Sequence, residues 1–155
     1  MTFYVLALLI GIIAGLRAMT APAAVSWAAH LGWLPLASTP MAFMGFAYTP
    51  FIFSVLALGE FVTDQLPQTP SRKVPMQFGG RIASGALCGA CFGAAGGSLV
   101  GGIAAGVVGA VIGTLGGAAA RARLARAFGK DLPAALIEDV VAVVGAYLVV
   151  TAGRG

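Results

Sequence analysis

Charge is nearly missing from this chain. Nine Lys and Arg and five Asp and Glu stand among 155 residues, so 9% of the chain is charged and 59% is hydrophobic. Soluble domains carry about 25% charged residues, and a domain of this length has no means of hiding so much apolar surface from water. Residues 18–59, 82–120 and 140–153 contain no Asp, Glu, Lys or Arg at all. Cysteine and histidine are also scarce, at two and one, which excludes a disulfide framework and leaves too few ligands for a closed zinc site. The two cysteines, Cys88 and Cys91, have the C-x-x-C spacing of redox and metal motifs. They lie in an uncharged, Gly-rich stretch with no His nearby, so they read as small residues packed in apolar surroundings. Enzyme signatures are absent: no G-x-S-x-G, H-E-x-x-H, P-loop or dinucleotide fingerprint occurs. No cofactor is implied, and a non-enzyme is the expectation. The net charge of +4 does not point to nucleic acid, because no basic stretch is interleaved with polar or aromatic residues.

What the chain has is glycine, 23 residues of it. Gly85, Gly89, Gly93, Gly97 and Gly101 recur every four residues, and the series resumes at Gly109, Gly113 and Gly117. Residues four apart share one helix face. Glycine there weakens a helix in water, but in lipid it lets helix backbones approach closely. The expectation is a single all-α integral membrane domain over residues 1–155, a tightly packed Gly-rich bundle with a glycine zipper.

About five transmembrane helices follow from the apolar runs. Span one covers Phe3 to Trp27; although it is built like a signal-peptide core, no Lys or Arg precedes it, and it reads as a retained span. The segment from His30 to Pro50 is broken by Pro35, Pro40 and Pro50 and reads as a loop or partly re-entrant segment. Span two covers Phe51 to Leu66, span three Ile82 to Gly96, span four Val100 to Ala120 and span five Pro133 to Ala152. A continuous helix over 82–120 would measure about 58 Å, nearly twice the ~30 Å hydrocarbon core, so a turn near Gly96-Gly97 or Gly101-Gly102 must interrupt it. The two basic loops, with Arg72, Lys73 and Arg81, then Arg121, Arg123, Arg126 and Lys130, fall on one side. The positive-inside rule makes that side cytoplasmic. With five spans the N-terminus is then inside and the C-terminus outside. Five spans also admit a 2+1+2 inverted repeat, although setting Gly11–Gly32 against Val108–Gly129 gives little beyond shared alanines.

The few charges within spans are the functional signal. A charge at mid-bilayer costs about 2.5–3.5 kcal/mol on insertion scales and faces a partner or a wet cavity. Arg17 lies in span one beside Thr20 and the helix breaker Pro22. Glu60 and Asp64 share a face of span two, and Glu138 and Asp139 begin span five. Four carboxylates at similar depth suit a cation or a shared proton. The competing reading pairs them with Arg72, Arg81 or Arg121 as structural staples. Glu60, Asp64 and Glu138 also form a donor set for Mg²⁺ in phosphate chemistry, an idea nothing else in the sequence supports. His30, near Trp27 and Trp33, reads as an interfacial residue.

Several stretches together resemble a family of small bacterial integral membrane proteins known as a domain of unknown function. They are Gly15-Leu16-Arg17-Ala18 with Ala21-Pro22, Leu58-Gly59-Glu60 through Asp64, Pro67 and Pro70-Ser71-Arg72, Arg81 with Ser84-Gly85-Ala86, and Leu136-Ile137-Glu138-Asp139. The resemblance implies a multi-span helical fold in the bacterial cytoplasmic membrane and supplies no activity. The functional expectation is a small transporter or channel for an ion or metabolite, with Arg17, Thr20, Glu60, Asp64, Glu138 and Asp139 at its site. Membrane lipids and further copies of the chain are the expected partners. The alternative is a non-transporting scaffold, assembly factor or lipid-headgroup binder.

Overall fold

The computed structural model describes residues 2–34, 36, 39–63, 75–129 and 131–152. These form six α-helices and no strand: α1 Thr2–Leu16, α2 Thr20–His30, α3 Thr49–Thr63, α4 Pro75–Gly96, α5 Leu99–Phe128 and α6 Asp131–Ala152. The extra helix relative to the expected five comes from span one, which is two helices. α1 ends where Arg17 N–H bonds to the Ile13 carbonyl at 2.8 Å, and α2 begins where Ala23 N–H bonds to the Met19 carbonyl at 3.1 Å. Pro22 lies inside the first turn of α2, where its missing N–H is not needed. An unbroken helix would drive its ring into the carbonyl of Ala18. The interruption therefore falls at Arg17–Met19, ahead of the proline itself.

The uncharged run breaks at Gly97, whose φ of +95° is open to glycine and strained for other residues. Ser98 N–H reaches back to the Gly93 carbonyl at 2.8 Å, closing α4 in the manner of a Schellman turn. The Ser98 hydroxyl then accepts the Gly101 N–H at 3.2 Å and caps α5.

Glycine sets the helix spacing. A Cβ at Gly85 would stand 2.7 Å from the Gly106 carbonyl oxygen and 2.7 Å from Ala110 Cβ, and one at Gly93 would stand 2.7 Å from Gly102 Cα. α4 and α5 therefore run antiparallel with their backbones in contact. On its other side α5 meets α1: Gly11 backs onto Gly106, Gly109 and Gly113 back onto Ile12, and Gly15 backs onto Ala110 and Thr114. These two helices run parallel. The glycines do not form one stripe. Gly97 is a turn, and the α5 glycines against α4 are Gly102 and Gly106, which lie off the four-residue series.

The other helices enclose this trio. α6 runs against α1, with Gly145 beside Ile13 and Asp139 beside Arg17. α2 turns back from the end of α1 and lies along α6: Thr20, Ala28 and Leu31 line one groove with Val143, Ala146 and Val150. α3 runs against α2, as Trp27 Nε1 donates to Ser54 Oγ at 2.9 Å while Glu60 reaches Met19. The His30–Pro50 segment contains a 3-10 turn, Ala42–Gly45, held to α2 by a 2.6 Å bond from Ser26 Oγ to the Met44 carbonyl. His30 Nδ1 lies 3.2 Å from the Gly45 carbonyl.

Six alternating helices bring Thr2 and Ala152 to the same end of the bundle, opposite the end where α5 carries Arg121, Arg123 and Arg126. This corrects the expectation of termini on opposite sides, and it removes the odd helix count that a 2+1+2 repeat needs. The single missed reversal at Arg17–Met19 accounts for both.

Two helical segments, Leu99–Phe128 and Pro133–Ala152, are long and apolar enough to cross a membrane. The surface is rich in large apolar side chains such as Val55, Leu58, Val140 and Leu148, each at least 60% exposed, while Arg17, Arg81 and Glu138 are buried.

Candidate functional site: a charged network at the helix break

The α1–α2 break leaves backbone groups without helical partners, and side chains from three other helices satisfy them. Glu60 of α3 accepts the Ala18 N–H at 2.9 Å and the Met19 N–H at 3.0 Å, one on each carboxylate oxygen. Met19 offers no side-chain cap to α2, so Glu60 caps it from outside. A carboxylate suits the positive end of a helix, and bonds to a charged acceptor are the strong ones. On the other side of the break, Arg81 Nη1 of α4 donates to the Gly15 carbonyl at 2.9 Å, and Thr114 Oγ1 of α5 approaches the same oxygen at 3.4 Å. A guanidinium suits the negative end of α1. Ser84 Oγ donates to the Ala18 carbonyl at 2.5 Å, the group that Pro22 bars from helical pairing.

Arg17 lies in the break and is fully buried. Its Nε donates to Asp139 Oδ1 at 2.6 Å and its Nη1 lies 3.0 Å from Glu138 Oε1, while Nη2 also pairs with Asp139. Arg121 Nη1 stands 3.8 Å from Glu138, and Arg81 Nη2 stands 3.9 Å from Glu60. The described network thus balances three guanidinium groups against three carboxylates. An arginine buried this deeply needs such partners, since an uncompensated charge there would be strongly destabilising.

The expected site residues are partly brought together. Arg17, Glu60, Glu138 and Asp139 converge on the break, and Arg81 and Arg121, expected in cytoplasmic loops, join them. Asp64 and Arg72 lie outside the described residues. The described carboxylates do not form one acidic cluster. Glu60 stands with Arg81 on the α3–α4 side, Glu138 and Asp139 stand with Arg17 on the α6 side, and among the described residues no three His, Cys, Asp or Glu gather to hold a metal. Thr20 begins α2 but makes no bond within the network; its buried hydroxyl has no hydrogen-bond partner. Sequence reasoning missed Ser84 and Thr114. Ser84 was legible as a polar residue one turn after Arg81 on the same face, whereas nothing in the sequence marks Thr114. Comparison with protein-family models, curated proteins and solved structures finds no match.

Proposed function

We propose that this chain is a multi-pass membrane protein that moves a small ion or metabolite, with the network around Arg17 as its binding or coupling site. Bare aliphatic helices around a charged interior support the membrane reading, because they invert the arrangement expected in water. One observation carries the transport reading. Two helices meet at a reversal inside the bundle, their facing ends are capped by Glu60 and Arg81, and a buried arginine sits between them. Helix ends turned toward charges inside a bundle are a recurring feature of transporter sites. The basic end lies in the bacterial cytoplasm by the positive-inside rule, which puts both Thr2 and Ala152 outside. Homo-oligomers belong to the same proposal, since a bundle this small encloses little volume by itself.

The test is flux in vesicles reconstituted with the full chain, using an entrapped pH dye and a panel of monovalent and divalent cations. Wild type should carry an ion or proton flux above that of protein-free vesicles. Glu60→Gln should abolish it per folded protein while helix content is kept. A wild type silent across the panel, with Glu60→Gln merely less stable and Glu60→Gln/Arg81→Gln partly restored, overturns transport in favour of the non-transporting alternative.

A further inference from the structure

Beside the network lies a groove between α2, α3 and α6 with a volume of about 500 Å³. It exists because the facing positions are small: Ala23, Ala24 and Ala28 on α2, Ala57 on α3 and Ala146 on α6. α1, α4 and α5 are packed backbone to backbone, so this space is not a general looseness. Its size falls in the range of sites for drug-sized molecules, which are apolar concavities with a few placed polar groups.

The polar groups define the ligand. Among the described residues, no Asp, Glu, Lys, Arg or His lines the groove. Trp27 Nε1 is already committed to Ser54 Oγ. Thr20 also lines it, is 6% exposed, and its Oγ1 has no hydrogen-bond partner. Buried hydroxyls are nearly always bonded, and an exception calls for a missing partner. As the first residue of α2, Thr20 has no carbonyl four residues back in its own helix to which its hydroxyl could turn.

We propose that this groove binds a small, neutral, mostly apolar molecule carrying one hydrogen-bonding group, such as a hydroxyl or carbonyl, which pairs with Thr20. The absence of lining charge rejects ions and zwitterionic lipid headgroups. The inference deepens the reading above, on which it rests for a groove facing lipid. Thr20 follows the break three residues after Arg17 and opens α2, so an occupant would sit directly against the helix held by the charged network.

The experiment needs no flux. The chain has two tryptophans, Trp27 and Trp33, and both line the groove. Quenching of their fluorescence by a bromine-tipped medium-chain alkanol reports occupancy of the purified full chain in detergent. A bromoalkane of equal length is the control. The alkanol should quench saturably. Thr20→Val, which keeps the side-chain shape, should weaken the alkanol about fivefold, the effect of one neutral hydrogen bond, and leave the bromoalkane unchanged. Ala146→Phe should remove saturable quenching by both. Quenching that rises linearly with either probe, or an alkanol affinity indifferent to Thr20→Val, overturns the proposal. Because binding and flux are read separately, a silent transport assay with saturable quenching would sink transport and keep the groove. Flux without saturable quenching would do the reverse.

Discussion

Glu60→Gln is the most searching single change. The glutamine has the same shape, so no cavity is made and the effect is chemical. Both carboxylate oxygens of Glu60 accept backbone N–H groups, from Ala18 at 2.9 Å and Met19 at 3.0 Å. An amide has one acceptor oxygen, so one N–H at the start of α2 must face an NH₂ group or go unbonded. Losing one hydrogen bond to a charged acceptor costs about 1.5–3 kcal/mol. Removing a partly buried carboxylate from a helix N-terminus adds roughly 0.3–2 kcal/mol. The Arg81 guanidinium 3.9 Å away also loses this negative neighbour. The expected loss is about 3 kcal/mol, the lower edge of what breaking a buried ion pair costs, and for a chain of this size it lowers Tm by roughly 6–12 °C. Thermal unfolding in detergent followed by tryptophan fluorescence measures it. Combining it with Arg81→Gln should cost less than the two single losses together, because the attraction between the two groups is then lost once and not counted twice. A Tm shift under about 1 °C would refute the cap and with it the account of how the break is held.

Two further outcomes follow from the packing and the chain path. Gly85→Ala should lose roughly 1–3 kcal/mol by overpacking, since its Cβ would meet Ala110 Cβ at 2.7 Å. Gly116→Ala has open space around the new methyl and should gain up to about 1 kcal/mol in helix propensity, so melting curves of the two variants should move in opposite directions. Single cysteines placed at Thr2 and at Ala152 should react with a membrane-impermeant maleimide from the same side of sealed vesicles, and one at Arg123 from the other. Labelling of Thr2 and Ala152 from opposite sides would restore the five-helix topology.

How legible the site was depended on the kind of residue. Arg17, Glu60, Glu138 and Asp139 stood out because charge is costly in an apolar run, and that cost is local and readable at each position. Which charge met which was not readable. Four carboxylates on two helices looked like an acidic cluster. The folded chain instead sets Arg17 beside Glu138 and Asp139 and Arg81 beside Glu60, because Arg17 lies just past α1 and Arg81 on α4, and only the bundle brings them there. Thr114 was invisible for the same reason: its hydroxyl matters only through the carbonyl of Gly15, 99 residues earlier.

The sequence by itself determined helical class, the apolar exterior, the need for close backbone approach and a turn near Gly96-Gly97 or Gly101-Gly102, of which the fold uses Gly97. Each of these follows from composition or from spacing within a few residues. The tertiary structure alone decided that span one reverses at Arg17–Met19, and hence that Thr2 and Ala152 share one end of the bundle. A proline four residues past a carbonyl permits a kink, a break or a full reversal. The choice among them is made where Glu60, Arg81 and Ser84 satisfy the freed backbone groups, and those partners lie 41 to 66 residues away in the chain.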